Sequence, residues 1–434
     1  MDRATIDERL DRLVNMRNSL DQVMDTLPVK VPGAVRETVK ELLFKNEELN
    51  QLIQDIVDRR PPRFIVIGKT GVGKSSLINA MIGRYLAKTS AVDIGTTSVA
   101  SYQYRDGDQT LFDVIDTRGL NESEGARDSA EQALKKAMQQ FEPDAIILVM
   151  DATDRAGMDE ELKQVQLLKP FISQYVPIVC VLTHADHIDP ARIKEPERYP
   201  EVKEERIKNK RAQVKQLIRD LKLSIDDVIP VSSYIEWSHD APETLTTIEQ
   251  KYLTIDFDGR YQIDELLDYL EATIDFQSAI HLMLSTRIER AIKLLTRRII
   301  KVFSGVASTV ALTPIPVSDM SVLVPLQLLM VSFIAYVSGR TVDKKMLRDF
   351  LISIGGVGSL GYSFKLLAQQ GSKLLNVVLP GSGSVISSAI AYSGTFAMGK
   401  AAEAYFVDQV SKKDLSDIMK KAEQQARTAF ENKN

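Results

Sequence analysis

Residues 68–75 read Gly-Lys-Thr-Gly-Val-Gly-Lys-Ser, three glycines ahead of a lysine and a hydroxyl. A run of the form G-x-x-x-x-G-K-[ST] binds phosphate when a strand precedes it and a helix follows. Both conditions are expected here, from the apolar run Phe64–Ile67 before it and helical spacing over Lys74–Ile82 after it. Gly68, Gly71 and Gly73 let the backbone curl, so that loop N–H groups, that of Val72 included, point inward at phosphate oxygens. The helix starting at Lys74 adds its positive end, and Ser76 follows on its first turn. Lys74 is expected to reach the β- and γ-phosphates, and the Ser75 hydroxyl to take a Mg²⁺ position.

A phosphate loop does not name the base; the motifs after it do. Asp116-Thr-Arg-Gly119 ends an apolar run, where Asp116 can hold Mg²⁺ through water and the Gly119 N–H can touch a γ-phosphate. Gly95-Thr96-Thr97 lies earlier, and one of its threonines, Thr97 in preference to Thr96, can complete the metal shell. Thr183-His184-Ala185-Asp186 ends another apolar run, where Asp186 can accept two hydrogen bonds from guanine. At Val231-Ser232-Ser233 a backbone N–H can meet the guanine carbonyl. Each short motif alone is weak; five in order, each at a strand end or on a loop, are strong.

These motifs need strands to hold them. Apolar runs predict strands at 64–67, 99–104, 111–116, 145–151, 178–183 and 228–232. Helical spacing fills 74–82, 126–140, 159–175, 204–221 and 263–273. Alternation of this kind implies a mostly parallel sheet with helices on both faces and ligands at the strands' carboxyl ends. Two amphipathic helices, over 4–27 and 34–58, precede the first strand and lack a local partner for their apolar stripes. After residue 274 no strand pattern appears. The expected organisation is a GTPase-type α/β domain over 61–273, with residues 1–60 and 274–434 combining into an all-α domain.

With GKTGVGKS, GTT, DTRG, THAD and VSS in this order, residues 63 to about 273 resemble the Era-like branch of translation-factor-related GTPases. The resemblance implies bound GTP or GDP with Mg²⁺. It makes Lys74, Thr97 and Gly119 the catalytic group, Ser75, Thr97 and Asp116 the metal residues, and Thr183, His184, Asp186, Ser232 and Ser233 the guanine side. Two positions depart from it. His184 stands where the family has a lysine that packs along the base, and Leu120 stands where small GTPases carry a water-positioning glutamine. Hydrolysis then has to borrow another group, with Lys69, Arg118 and Arg127 as candidates donated across a dimer. The two leading helices and the long helical tail resemble immunity-related GTPases in layout. The segment Thr313–Asp319 is similar to a bacterial helical domain that follows Era-like GTPase domains.

Composition narrows the setting. A formal charge of −4 offers no polyanion-binding signature, so bulk nucleic-acid binding, DNA included, gains no support. Cys180 stands alone, which excludes a disulfide framework and suits a reducing cytosol. The charged N-terminus predicts no secretory leader. Met320–Gly339 runs 20 residues without a charge, and Leu374–Gly399 runs 26. The first is about 30 Å long as a helix, enough to cross a bilayer. The basic stretch Arg287–Lys301 precedes it as a juxtamembrane segment would. A spanning helix, peripheral insertion at an anionic membrane and a soluble helical core all stay open. The charged run Glu195–Lys215 reads as a solvated helix and its loop, and Trp237 as packing beside the nucleotide pocket. His184, Asp186, His187 and Asp189 cluster like a metal site, but a base-binding loop accounts for the first and the second.

The reading is a GTP-hydrolysing switch that couples nucleotide state to self-assembly, as a homodimer or larger, and to membrane association. Rivals are a ribosome- or RNA-associated Era-like GTPase, an ATP-dependent enzyme or kinase, and a nucleotide-binding scaffold with little turnover.

Overall fold

The computed structural model describes residues 3–86, 89–93, 100–106, 109–116, 141–154, 158, 162, 165, 175–312, 319–355 and 383–431. The chain divides into a helical unit, Met1–Asp58 with Ile288–Asn434, and an α/β unit, Arg59–Arg287. In the helical unit each expected leading helix is broken in two, giving α1 (Arg3–Asn18), α2 (Leu20–Asp25), α3 (Gly33–Phe44) and α4 (Glu47–Val57). Asn46 accounts for the second break: its side chain accepts the Leu49 N–H at 2.8 Å and caps α4.

The α/β unit holds a seven-stranded sheet ordered β2-β3-β4-β1-β5-β6-β7. Its strands are β1 (Arg63–Ile67), β2 (Thr89–Asp93), β3 (Ala100–Asp106), β4 (Gln109–Asp116), β5 (Ala145–Asp151), β6 (Ile178–Thr183) and β7 (Asp227–Pro230). Pairing is parallel from β4 through β1, β5 and β6 to β7, and antiparallel at the β2-β3-β4 edge. The central strands are apolar without alternation because both faces are covered. Ile146, Leu148 and Met150 pack with Leu162, Val165, Val214 and Ile218 on one face, while Phe64, Val66, Ile147 and Val149 are buried on the other. The start of β1 is pinned by Asp144, which accepts from the Arg60 guanidinium at 2.8 and 2.6 Å and from the Arg63 N–H at 2.8 Å.

Helix α5 (Lys74–Ile82) follows β1, α6 (Glu201–Asp220) leads into β7, and α7 (Thr247–Gln250), α8 (Ile263–Thr273) and α9 (Phe276–Thr286) complete the unit. Helices expected over 126–140 and 159–175 lie outside the described residues, apart from the isolated positions 162, 165 and 175. The expected strand over 228–232 ends early. Val231 still donates to the Leu182 carbonyl at 2.7 Å, and Ser232 then opens a separate hairpin of β8 (Ser232–Trp237) with β9 (Ile255–Tyr261), two strands absent from the sequence reading, as was β2.

The rest of the helical unit comprises α10 (Ile288–Leu312), α11 (Asp319–Val337), α12 (Lys344–Gly355), α13 (Gly383–Ala402) and α14 (Leu415–Glu431). The uncharged stretch 320–339 falls on α11 and is core. Val322, Leu326, Leu329, Met330, Val331, Ile334 and Ala335 are all fully buried. Helices α1, α3, α10 and α13 pack around it, and each such side chain contributes about 1.5–3 kcal/mol on burial. Among the described residues no helix is long and apolar enough to cross a membrane. Small residues on α13 let it lie close to α10: a Cβ on Gly399 would sit 2.7 Å from Ile300 Cγ1. Three cations of the basic stretch form ion pairs. Within the α/β unit Arg287 donates to Asp268 at 2.7 Å and to Asp264 at 3.2 Å. In the helical unit Lys293 pairs with Asp408 at 2.7 Å and Arg297 with the buried Glu403 at 3.2 Å.

Candidate functional site

The carboxyl ends of β1, β5 and β6 carry the site. β1 runs into the phosphate loop and α5 follows at once, so the loop backbone has only six residues in which to turn, 68–73. Gly68 is required by proximity, since a Cβ there would collide with the Val149 carbonyl oxygen of β5. Gly73 caps α5 at φ 85°, a left-handed conformation that costs glycine little. Lys74 is 8% exposed, and its ammonium donates to the Gly68 and Lys69 carbonyls at 2.6 and 2.8 Å. The cation therefore lies inside the curl of the loop. Ser75 and Ser76 are exposed on the first turn of α5.

β6 brings the second half. Thr183 pairs in register with Asp151 of β5, and its hydroxyl lies 2.8 Å from the Val72 carbonyl and 3.0 Å from that of Met150. One side chain thus ties the end of β6 to the phosphate loop. His184 takes a left-handed turn at φ 57°. Its Nδ1 is 3.0 Å from Asp151 Oδ2, its ring stacks on His187 at 5.2 Å, and its other edge faces Gly73. Asp186, 2% exposed, has Lys194 Nζ 2.5 Å and His187 Nε2 3.3 Å from Oδ2. The turn is closed by the Ala185 N–H on the Val231 carbonyl at 3.1 Å.

Residues 63–184 match the family described as 50S ribosome-binding GTPase. The α/β unit is a P-loop GTPase domain. The tRNA modification GTPase MnmE of Legionella pneumophila (strain Paris) is 27% identical over 156 residues, 36% of this chain and 34% of the relative. MnmE of Histophilus somni (strain 129Pt) is 24% identical over 188 residues, 42% of this chain and 40% of the relative. The chain thus spans about a third to two-fifths of the length of these curated relatives. Among solved structures it is similar to the LeoA bacterial dynamin GTPase from ETEC, at 12% identity and TM-score 0.35 over 100% of this chain and 96% of that one. It is also similar to Era in complex with MgGDPNP and 16S ribosomal RNA nucleotides, at 18% identity and TM-score 0.25 over 60% and 70%.

Of the residues singled out from sequence, the GTPase domain brings together Gly68, Gly71, Val72, Gly73, Lys74, Ser75, Ser76, Thr183, His184 and Asp186. Asp116 ends β4, in register with Val66 of β1; its side chain lies outside the described residues. Thr96, Thr97, Arg118, Gly119, Leu120 and Arg127 lie outside them too. A serine hydroxyl and an aspartate carboxylate are hard oxygen donors of the kind Mg²⁺ takes. Among the described residues no group of three or more His, Cys, Asp or Glu side chains is placed to hold a metal ion. Ser232 is fully buried, and its hydroxyl accepts the Tyr234 N–H at 3.2 Å. Ser233 Oγ is buried without a partner among the described residues. Trp237 sits on β8 and meets the Tyr85 ring edge-on at 5.9 Å.

Three residues escaped the sequence reading. Asp151, at the end of β5, was marked only by its position at a strand end. Lys194 and Lys203 flank or sit in the run read as a solvated charged helix, yet Lys203 is 0% exposed and both meet the Asp186 loop.

Burial raises the Asp186 carboxyl's pKa, but hydrogen bonding and charge from Lys194, with smaller help from His187 and Ser232, outweigh it and leave the carboxyl below its ordinary 3.8. A depressed folded value means that ionised Asp186 stabilises the fold fully above pH 3.8, and that this contribution is lost as the pH falls through the lower folded value. Urea-unfolding free energies of the wild type and Asp186→Asn are accordingly expected to differ more at pH 5 than at pH 3, the gap narrowing below pH 3.8. A gap that stays unchanged from pH 5 to pH 3 contradicts this.

Proposed function

We propose that this protein is a GTP-hydrolysing switch, with the phosphates in the loop 68–75 and the base read by Asp186. The observation carrying the reading is the Thr183 hydroxyl, which couples the Val72 carbonyl of the phosphate loop to the strand that ends in the Asp186 turn. In this reading Lys74 exchanges its loop carbonyls for β- and γ-phosphate oxygens, and loop N–H groups and the α5 N-terminus take the remaining charge. Ser75, Asp116 and Thr97 would hold Mg²⁺, which supplies neutralisation of the phosphate oxygens. His184, fixed by Asp151, presents its ring edge beside Gly73, and a backbone N–H at Ser232 or Ser233 meets the guanine carbonyl.

The finer proposal is that the helical unit couples nucleotide state to self-assembly and to an anionic membrane surface, in the manner its layout shares with immunity-related GTPases. Leu120 cannot orient water, and a group supplied in trans can change rates by about 10³–10⁵. Phosphate release from GTP and ATP, measured over a hundredfold range of protein concentration with and without anionic liposomes, tests both levels. The expected result is at least tenfold preference for GTP and a specific activity that climbs with concentration and with liposomes. Equal turnover of ATP and GTP overturns the base reading. Flat specific activity overturns self-activation, and no response to liposomes overturns the membrane link. The relatives named for tRNA modification make an RNA-linked role the second reading, favoured by nuclease-sensitive RNA in the purified protein.

A further inference from the structure

Lys203 lies in the first turn of α6, inside a run rich in charge, and is nonetheless fully buried. Its ammonium has three N–H donors. They meet three backbone carbonyls, those of Asp186 at 2.7 Å, Ile193 at 2.9 Å and Pro190 at 3.2 Å. All three belong to one segment, 186–193, the loop that leaves β6. The same cation lies 4.4 Å from the centre of the Tyr199 ring, which packs with Ala185 and Ile207. One end of the loop is therefore held through Asp186 itself, and the other through the residue just before Lys194, whose ammonium bonds the Asp186 carboxylate.

We propose that Lys203 is a positioning residue for base selection: it wraps the loop 186–193 around a buried cation and so fixes where the Asp186 carboxylate stands. This rests on Asp186 reading guanine. A merely structural lysine would, on removal, weaken every nucleotide alike or lower stability without touching selectivity. A positioning lysine changes the discrimination between bases while the phosphate loop, on a different strand, keeps its hold. Desolvation favours the neutral amine and lowers the Lys203 pKa; the three carbonyls are what a protonated amine needs in compensation.

The readout is the ratio of affinities for GDP and inosine diphosphate, which lacks only the exocyclic amino group that would donate to Asp186. Lys203→Met keeps the apolar stem and removes the donors. The expected result is that the ratio falls roughly tenfold, while inosine diphosphate affinity changes less than threefold. Lys203→Gln, with two donors on a shorter stem, should give an intermediate ratio. Equal losses for both nucleotides, or an unchanged ratio, overturn the proposal. Should the Met variant fail to fold, an unchanged ratio in the Gln variant overturns it equally. Asp186→Asn separates the two levels. If it collapses the ratio and the Lys203 variants do not, only the positioning role falls; if it leaves the ratio intact, the base reading has failed and the inference with it.

Discussion

Lys74→Ala is expected to weaken GTP binding by roughly 10²- to 10⁴-fold and to remove turnover. Hydrogen bonds to charged groups contribute about 1.5–3 kcal/mol each, and an ammonium shared between the β- and γ-phosphates makes two. The geometry makes the loss specific. The ammonium is held within the loop by the Gly68 and Lys69 carbonyls, so it is already placed where phosphate oxygens would enter. Truncation removes that cation and leaves both carbonyls facing an incoming anion. Titration with a fluorescent GTP analogue, alongside circular dichroism to confirm the fold, measures it. An affinity within fivefold of wild type would show that phosphate binds elsewhere.

Asp186→Ala should weaken GTP by about 10- to 150-fold, the effect of losing about 1.5–3 kcal/mol of charge-assisted hydrogen bonding. Asp186→Asn should lose guanine comparably and gain xanthine, because an amide N–H complements the carbonyl that xanthine carries in place of the guanine amino group. Asp186 is 2% exposed, and its partners Lys194 and His187 both meet Oδ2, which leaves Oδ1 as the atom the swap exchanges. The Lys194 ammonium bonds Oδ2, so the base must share or displace it. Competition binding with GTP, XTP and ATP decides the matter: an Asn variant that still prefers GTP over XTP would remove Asp186 from base recognition.

The phosphate loop was legible because its chemistry is local. Three glycines, a lysine and a serine within eight residues define a backbone curl and a cation whatever surrounds them. The strand-end motifs were legible for a related reason, since a parallel sheet delivers its ligands to carboxyl ends and those ends can be read from apolar runs. Thr183 and Asp186 were placed in this way, and the structure sets the Thr183 hydroxyl 2.8 Å from the Val72 carbonyl of the loop. The helical tail was harder. The composition of α11 and α13, uncharged and rich in small residues, suits a bilayer and a tightly packed bundle equally. Only the packing of α10, α1 and α3 against α11 turns it into core. In the basic stretch of α10, Lys293 and Arg297 find Asp408 and Glu403 more than a hundred residues away, pairings that residue spacing does not reveal.

By itself, the sequence determined that a phosphate-binding loop opens an α/β domain, and it marked Asp186, just past a later strand, as the acceptor proposed to read guanine. Tertiary structure alone decided how that acceptor is held. Lys194 and Lys203 look like surface lysines in a charged run, and nothing local separates one from the other or from Lys208, Lys210 and Lys215. A lysine becomes structural only when backbone carbonyls converge on it. The carbonyls of Asp186, Pro190 and Ile193 do so because the loop from β6 folds back over the first turn of α6. Such convergence depends on the path of the chain through space, and residue types and spacing along it carry no record of that path.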